Sequence, residues 1–88
     1  METKLDGNAA GGVLREIFPF EMTLVRATCD SCGASGAVAA QAVYMHGMGA
    51  VVRCLECDNP LIRVARGSNG RYWLDLRGVR VLQITEEV

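Results

Sequence analysis

The sequence predicts a small, mostly-β domain, with an antiparallel sheet of five to six strands and one short N-terminal helix. From Phe20 onward, apolar and polar residues alternate with a period of two in several short runs. Glycine, asparagine and proline separate these runs, as they do at turns between strands. Four cysteines form two Cys-x2-Cys pairs between the runs. Because 88 residues suffice for one domain, residues 1–88 are expected to fold as a single unit.

The N-terminal segment predicts a helix over about residues 8–18. Four apolar residues fall on one stripe of this helix: Val13, Leu14, Ile17 and Phe18. Gly11 and Gly12 each cost about 1 kcal/mol relative to alanine in a helix interior. The helix therefore either docks through its glycines or begins only near Val13. Pro19 ends it, and residues 1–5 are expected to be a frayed end.

The strand pattern predicts strands at residues 20–28, 37–45, 50–53, 61–66, 71–77 and 79–84. The C-terminal hairpin, residues 61–77, can be placed in register around a turn at residues 67–70. If Arg66 pairs with Tyr72, then Val64 faces Leu74, Ile62 faces Leu76 and Arg63 faces Asp75 as an ion pair. A slip by one residue would mix apolar and charged residues on both faces, so this register is preferred.

The two cysteine pairs predict a metal site. Their spacing, with 21 residues between the pairs, is that of a four-cysteine zinc site. The knuckles at residues 29–33 and 54–58 are tight turns that aim two sulfurs at one point, and strand pairing is expected to bring the turns together. Gly33 and Asp58 stand where the backbone leaves each turn and tolerate a positive φ. The predicted ligands of one structural Zn²⁺ are Cys29, Cys32, Cys54 and Cys57.

Three other interpretations of the cysteines remain open. A rubredoxin-like iron site uses the same four thiolates, although iron is the less favoured metal. Disulfides need an oxidising compartment, whereas residues 1–20 show no secretory signal pattern, so the chain is expected in the cytoplasm with reduced thiols. A dithiol redox centre would need one reactive pair near a βαβ pattern.

Because the chain is short, a bound metal is expected to add substantially to the stability of the fold. A core of this length supplies about 3–5 kcal/mol, and structural zinc is worth roughly 10–16 kcal/mol in zinc-finger peptides. The fold around the cysteines is therefore expected to be lost when zinc is removed. The formal net charge of −1 does not indicate a general polyanion binder. No apolar run is long enough to predict a membrane span.

The two knuckles on antiparallel strands resemble the zinc-ribbon class over residues 24–66. The whole chain is also similar to a family of small actinobacterial proteins that has no assigned activity. That similarity is carried by Leu-Asp-Gly-Asn-Ala at residues 5–9, by the cysteine pairs and by Trp-Leu-Asp-Leu-Arg-Gly at residues 73–78. It implies a fold and a cytoplasmic location but no function. Eight arginines against one lysine agree with a GC-rich genome.

The functional prediction is a non-catalytic module that binds a protein partner. A closed tetrathiolate site leaves no position for a reactive water, and the sequence offers neither a nucleophile with its base nor a phosphate-binding loop. The candidate partner-binding face consists of Arg63, Arg66, Arg71, Trp73, Arg77 and Arg80. The same face could bind nucleic acid, Trp73 could instead be covered by the helix, and the thiols could sense redox state or zinc.

Overall fold

The computed structural model describes residues 3–47 and 49–85, which form one short helix and eight strands. The strands are β1 (Thr3–Asp6), β2 (Arg26–Cys29), β3 (Ser35–Ala37), β4 (Ala42–His46), β5 (Gly49–Arg53), β6 (Pro60–Arg66), β7 (Tyr72–Asp75) and β8 (Val79–Gln83). The helix α1 spans Gly11–Ile17, and short 3-10 turns cover Gly7–Ala10, Met22–Leu24 and Val38–Ala40. The predicted fold class, mostly β with a short N-terminal helix, is confirmed.

The strands divide between two antiparallel sheets instead of forming the single sheet expected. The larger sheet has the order β1-β4-β5-β6-β7, and the smaller has the order β3-β2-β8. The division arises after Gly78, where the chain leaves the C-terminal hairpin. There β8 pairs with β2, Ala27 opposite Leu82, and does not extend the larger sheet beyond β7.

One hydrophobic core lies between the two sheets and α1. It takes Leu14 from the helix, Ala27 from the smaller sheet, Val43 and Ile62 from the larger sheet, and Val38 from a 3-10 turn. All five residues are at most 1% exposed. The two sheets therefore share one interior.

The helix lies close to its predicted place. It begins at Gly11, before Val13, and the Phe18 amide closes it by donating to the Leu14 carbonyl at 2.9 Å. Val13 and Leu14 are buried, and an ion pair between Glu16 and Arg66 joins α1 to β6. Within residues 3–47 and 49–85, no helix has the length and apolarity needed to cross a membrane.

Three predictions about the N-terminal half were wrong. Residues 3–5 are not frayed, because β1 pairs with β4 and places Leu5 opposite Val43; residues 1 and 2 lie outside the described part of the chain. The strand predicted at 20–28 begins only at Arg26, because a 3-10 turn precedes it. That turn buries Met22 and leaves Leu24 74% exposed, although strand alternation would put both on one face. The strand predicted at 37–45 is split by the turn at Val38–Ala40.

The C-terminal hairpin has the predicted register from Arg63 opposite Asp75 to Arg66 opposite Tyr72. Its turn places Asn69 at φ 58° and Gly70 at φ 72°, the left-handed pair that an Asn-Gly hairpin turn requires. β7 ends at Asp75, so the expected pair of Ile62 and Leu76 lies beyond the ladder.

The predicted ion pair of Arg63 with Asp75 is replaced. The chain turns back after Asp75, which brings Arg77 over the carboxylate, with Nη2 2.7 Å from Oδ2. The backbone amide of Arg77 also donates to Asp75 Oδ1 at 2.9 Å. A partner two residues away in a turn meets the carboxylate more closely than the cross-strand partner does.

Candidate metal centre and partner face

The first knuckle is a tight turn at the end of β2. The Gly33 amide donates to the Cys29 carbonyl at 3.0 Å, and the Cys29 amide donates to the Ala34 carbonyl at 2.8 Å. Gly33 has φ 79°, which an L side chain rarely adopts. This backbone turn places Cys29 and Cys32 side by side.

The second knuckle follows β5 and repeats the same hydrogen bonds. The Asp58 amide donates to the Cys54 carbonyl at 2.8 Å, and the Cys54 amide donates to the Asn59 carbonyl at 2.8 Å. Asp58 has φ 65°, so the residue predicted to tolerate this region adopts it. The two Cys-x2-Cys segments are therefore structurally equivalent.

The four sulfurs converge. All four Sγ atoms lie within 4.8 Å of one another, with Cys29 Sγ 3.6 Å from Cys57 Sγ and Cys32 Sγ 3.7 Å from Cys54 Sγ. A tetrahedral ion with metal–sulfur bonds of about 2.3 Å would hold neighbouring sulfurs about 3.8 Å apart. A disulfide would need about 2.05 Å, and all four cysteines are free. The donor set fits a tetrathiolate metal site.

The site joins the two sheets. The first knuckle connects β2 to β3 in the smaller sheet, and the second connects β5 to β6 in the larger sheet. The close sulfur pairs cross from one knuckle to the other. The knuckles were expected to meet through strand pairing within one sheet, but they meet through the packing of two sheets against each other.

Two residues that sequence reasoning did not assign to the site hold the knuckles together. Asn59 directs its side-chain amide toward Cys29 Sγ at 3.6 Å and toward the Gly78 carbonyl at 3.4 Å. The same carbonyl accepts from the Asp30 amide at 2.9 Å. A side chain on Gly78 would place its Cβ 1.7 Å from the Pro60 carbonyl oxygen, so only glycine fits there.

Asn59 had a weak signal in the sequence, because an amide follows the second knuckle directly. Nothing local marks Gly78 as part of the site, since it lies 21 positions beyond Cys57 and reads only as a strand break.

The local environment shifts the pKa values of Cys29, Cys32 and Cys57 in different directions. Burial raises the pKa of Cys29, but hydrogen bonds from the backbone amides of Cys32 and Ser31, with help from Cys57 and Asn59, lower it to about 6. The backbone amide of Asn59 lowers the pKa of Cys57, yet burial and the three neighbouring thiols raise it to about 12. The pKa of Cys32 is also raised. The pKa of Cys29 is thus lowered while those of Cys32 and Cys57 are raised, a pattern that a bound cation would favour because it stabilises every neighbouring thiolate.

Exposure also separates the thiols. Cys29 and Cys54, the first of each pair, are 1% and 3% exposed and belong to the core, whereas Cys32 and Cys57 face solvent. Each knuckle therefore contributes one interior sulfur and one surface sulfur.

The six residues predicted as a partner face are all exposed but do not form one basic surface. Arg66 pairs with Glu16 on α1, Arg77 holds Asp75, and Arg80 reaches Asp30 in the first knuckle with Nε 3.3 Å from Oδ1. Arg71 lies beside the hairpin turn, where its carbonyl accepts from the Gly67 amide. Arg63 and Trp73 remain together on the outer face of the larger sheet.

Trp73 is 59% exposed, so the interpretation in which α1 covers it is wrong. The position of its indole ring is nevertheless fixed by packing. A Cβ on Gly67 would lie 2.2 Å from Trp73 Cζ3, which means that the ring packs directly onto the glycine backbone. The ring is held in place and still presents a large surface to solvent.

The comparison with known proteins assigns the chain to a family whose function is unknown. No curated protein and no solved structure matches this chain. The profile of DUF6510, a family of unknown function, matches residues 1–87. With the match covering nearly the whole length, the protein belongs to the DUF6510 family.

Proposed function

We propose that this protein is a non-catalytic interaction module of the zinc-ribbon type, in which one structural Zn²⁺ is bound by Cys29, Cys32, Cys54 and Cys57. The observation that carries the metal assignment is the convergence of four sulfurs from two sheets to within 4.8 Å. Bound there, zinc would supply no reaction; it would cross-link the sheets and neutralise the thiolates.

Several features support a structural and not a catalytic role. Four cysteine ligands complete a tetrahedral shell, so no position is left for a reactive water. The most buried ligands belong to the same core that holds the domain together.

We place the protein in the cytoplasm of an actinobacterium, where thiols stay reduced and available as ligands. The arginine-rich composition agrees with that source.

A protein partner is better supported than nucleic acid. Three arginines of the predicted face, Arg66, Arg77 and Arg80, are paired with carboxylates of the same chain. Their charge is thereby partly neutralised, which weakens the phosphate attraction that dominates nucleic-acid affinity. A fixed, exposed tryptophan in an apolar setting is instead typical of the energetic centre of protein interfaces.

The metal assignment is tested by elemental analysis of protein purified without chelator. We expect one zinc per chain, and we expect Cys29→Ser to lower the metal content and the folded fraction together. Iron at the same stoichiometry would correct the metal, and less than one metal per chain would overturn the assignment. Ser31→Ala is the matched control, since it changes a hydroxyl in the same knuckle without removing a sulfur.

The interaction role is tested by affinity capture from the native cell with wild-type protein and the Trp73→Ala variant. We expect a protein that is retained by the wild type and lost by the variant. Retention of nucleic acid that declines steeply with salt would favour the alternative function. Detection of catalytic turnover would contradict the non-catalytic assignment.

A further inference from the structure

A shallow groove crosses the outer face of the larger sheet. It has a volume of about 440 Å³ and a mostly apolar lining drawn from β5, β6 and β7. Val51 and Ala65 contribute to this lining, and Trp73 contributes its indole. Because the ring is already seated on Gly67, a partner would not have to order it on binding.

A second, more polar cleft of about 540 Å³ lies between the first knuckle and the turn that follows β7. Asp30, Ser31 and Asn59 line one part of it. Arg63 and Asp75 line both this cleft and the groove, so the two are adjacent there. The two adjacent depressions, here called the track, extend from the first knuckle to Trp73, an arrangement that fits an extended segment better than a compact ligand.

The charged side chains along the track differ in whether they already have a partner of opposite charge in the same chain. Its two carboxylates already have arginine partners of the same chain, since Arg77 holds Asp75 and Arg80 reaches Asp30. Arg53, at the rim, lies over the Tyr44 ring and pairs with Asp58, with its Nη1 3.7 Å from the Asp58 Oδ2 and 3.0 Å from the Asp58 carbonyl oxygen. Within the described residues, Arg63 has no carboxylate within 4.0 Å, although it lines both the groove and the cleft; its cross-strand neighbour Asp75 acts on it at longer range and is held by Arg77. A complementary partner would bring a carboxylate to Arg63.

We infer that this track binds an extended acidic peptide segment of a partner protein, with an apolar side chain against Trp73 and a carboxylate on Arg63. The inference rests on the proposed interaction role and assigns it a binding mode. A second copy of the chain fits less well, because it would bring another arginine-rich hairpin to the same cationic junction.

The test is selection of random peptides, displayed on phage, against the zinc-loaded protein. We expect enriched peptides to combine an apolar or aromatic residue with Asp or Glu a few positions away. Trp73→Ala and Arg63→Glu should each weaken a selected peptide at least about tenfold. Replacing the peptide's acidic residue with lysine should restore binding to the Arg63→Glu variant.

Matched controls are available on the smaller sheet and the segment before it. Leu24→Ala removes another exposed apolar side chain, and Arg26→Glu reverses another exposed arginine. Neither change should alter peptide binding. Circular dichroism and zinc content, measured on all four variants, separate a lost site from a lost fold.

The inference is overturned if no peptide is enriched, or if enriched peptides bind both track variants as they bind the wild type. Binding of a single-stranded oligonucleotide that depends on Trp73 and Arg63 would also overturn it, in favour of nucleic acid. A captured cellular partner that is insensitive to Trp73→Ala would leave the interaction role standing and remove only this binding mode.

Discussion

Two glycines of this chain differ in the space around them. A Cβ on Gly78 would collide with the backbone of Pro60 at 1.7 Å, whereas a Cβ on Gly12 would meet no atom of the described residues within 4 Å. Gly78 also offers the carbonyl that accepts hydrogen bonds from Asp30 and Asn59 beside the candidate metal centre. The missing side chain is therefore required at one position and not at the other.

We expect Gly78→Ala to lower the free energy of unfolding by about 1–3 kcal/mol, because the Pro60 backbone cannot yield as a flexible side chain would. Gly12→Ala, in α1, should raise it by about 0.5–1 kcal/mol through the better helix propensity of alanine. Urea unfolding of the zinc-loaded proteins measures both. Similar effects at the two positions would contradict the close approach at Gly78.

Asp75 provides a pH-dependent prediction. The Arg77 side chain, assisted by its backbone amide, lowers the pKa of Asp75 from 3.8 to about 2. Since the folded pKa lies below the unfolded one, the pair stabilises the fold above about pH 3.8. That contribution is lost as the pH falls toward 2.

In carboxyl carbon NMR near pH 4, Asp75 should therefore be fully ionised in the wild type and substantially protonated in Arg77→Gln. An Arg71→Gln variant, changed at the arginine that precedes the opposite end of β7, should resemble the wild type. If wild-type Asp75 is already protonated near pH 4, the contact with Arg77 does not hold the carboxylate in solution.

At the scale of elements, α1 depends on packing. It has seven residues and no side-chain N-cap, so it is too short to be stable in isolation. Its buried residues Val13 and Leu14 insert into the core, and Leu14 has no exposed surface. Substitutions on the two faces of α1 therefore measure how much its packing against the core contributes to stability.

Leu14→Ala should lower the free energy of unfolding by about 2–5 kcal/mol, as expected for a cavity in a packed core. Arg15→Ala should cost less than about 1 kcal/mol, because the Arg15–Glu21 pair lies at the surface with the arginine side chain 72% exposed. Denaturant unfolding of both variants checks the difference, and a tolerated Leu14→Ala would show that α1 is not an integral part of the core.

The elements that sequence could predict are those fixed by neighbouring residues. The register from Arg63 to Arg66 follows from alternation and from the Asn69-Gly70 turn, and the knuckle backbone follows from Gly33 and Asp58. Contacts distant in sequence were the source of the errors. Met22 and Leu24 have the spacing of a strand face, and only packing against the core distinguishes them.

The candidate site could likewise be predicted only in the part that neighbouring residues determine. The clustering of its four cysteines was predictable from their spacing, because two Cys-x2-Cys turns suit one tetrathiolate site. Its position between two sheets was not predictable, since β8 reaches β2 across most of the chain. The role of Gly78 beside Asn59 depends on that same pairing.

At the scale of the whole molecule, the candidate metal centre lies between two sheets of unequal size. The smaller sheet has three strands of three to five residues, and the larger has five strands. Sheets as small as the first are marginal unless packed against another element. Proposed zinc binding, worth roughly 10–16 kcal/mol, exceeds what a core of this size supplies, about 3–5 kcal/mol.

Removal of zinc with a chelator should therefore speed amide hydrogen exchange first in β2, β3 and β8, and less in β4, β5 and β6. Mass spectrometry after brief deuteration measures each strand, and added Zn²⁺ should restore protection. Equal acceleration in both sheets would mean that the domain unfolds as one unit without the ion. Unchanged exchange would mean that the metal is not a structural cross-link.

Because two of the cysteines are buried and two are exposed, the candidate centre has one side that faces solvent and one that faces the core. Cys32 and Cys57, one from each knuckle, lie on the solvent side, while Cys29 and Cys54 lie on the core side. An incoming ion, a competing chelator and a thiol-specific reagent must all arrive by the same opening. Loading, unloading and chemical damage at this centre would thus begin at the same two sulfur atoms.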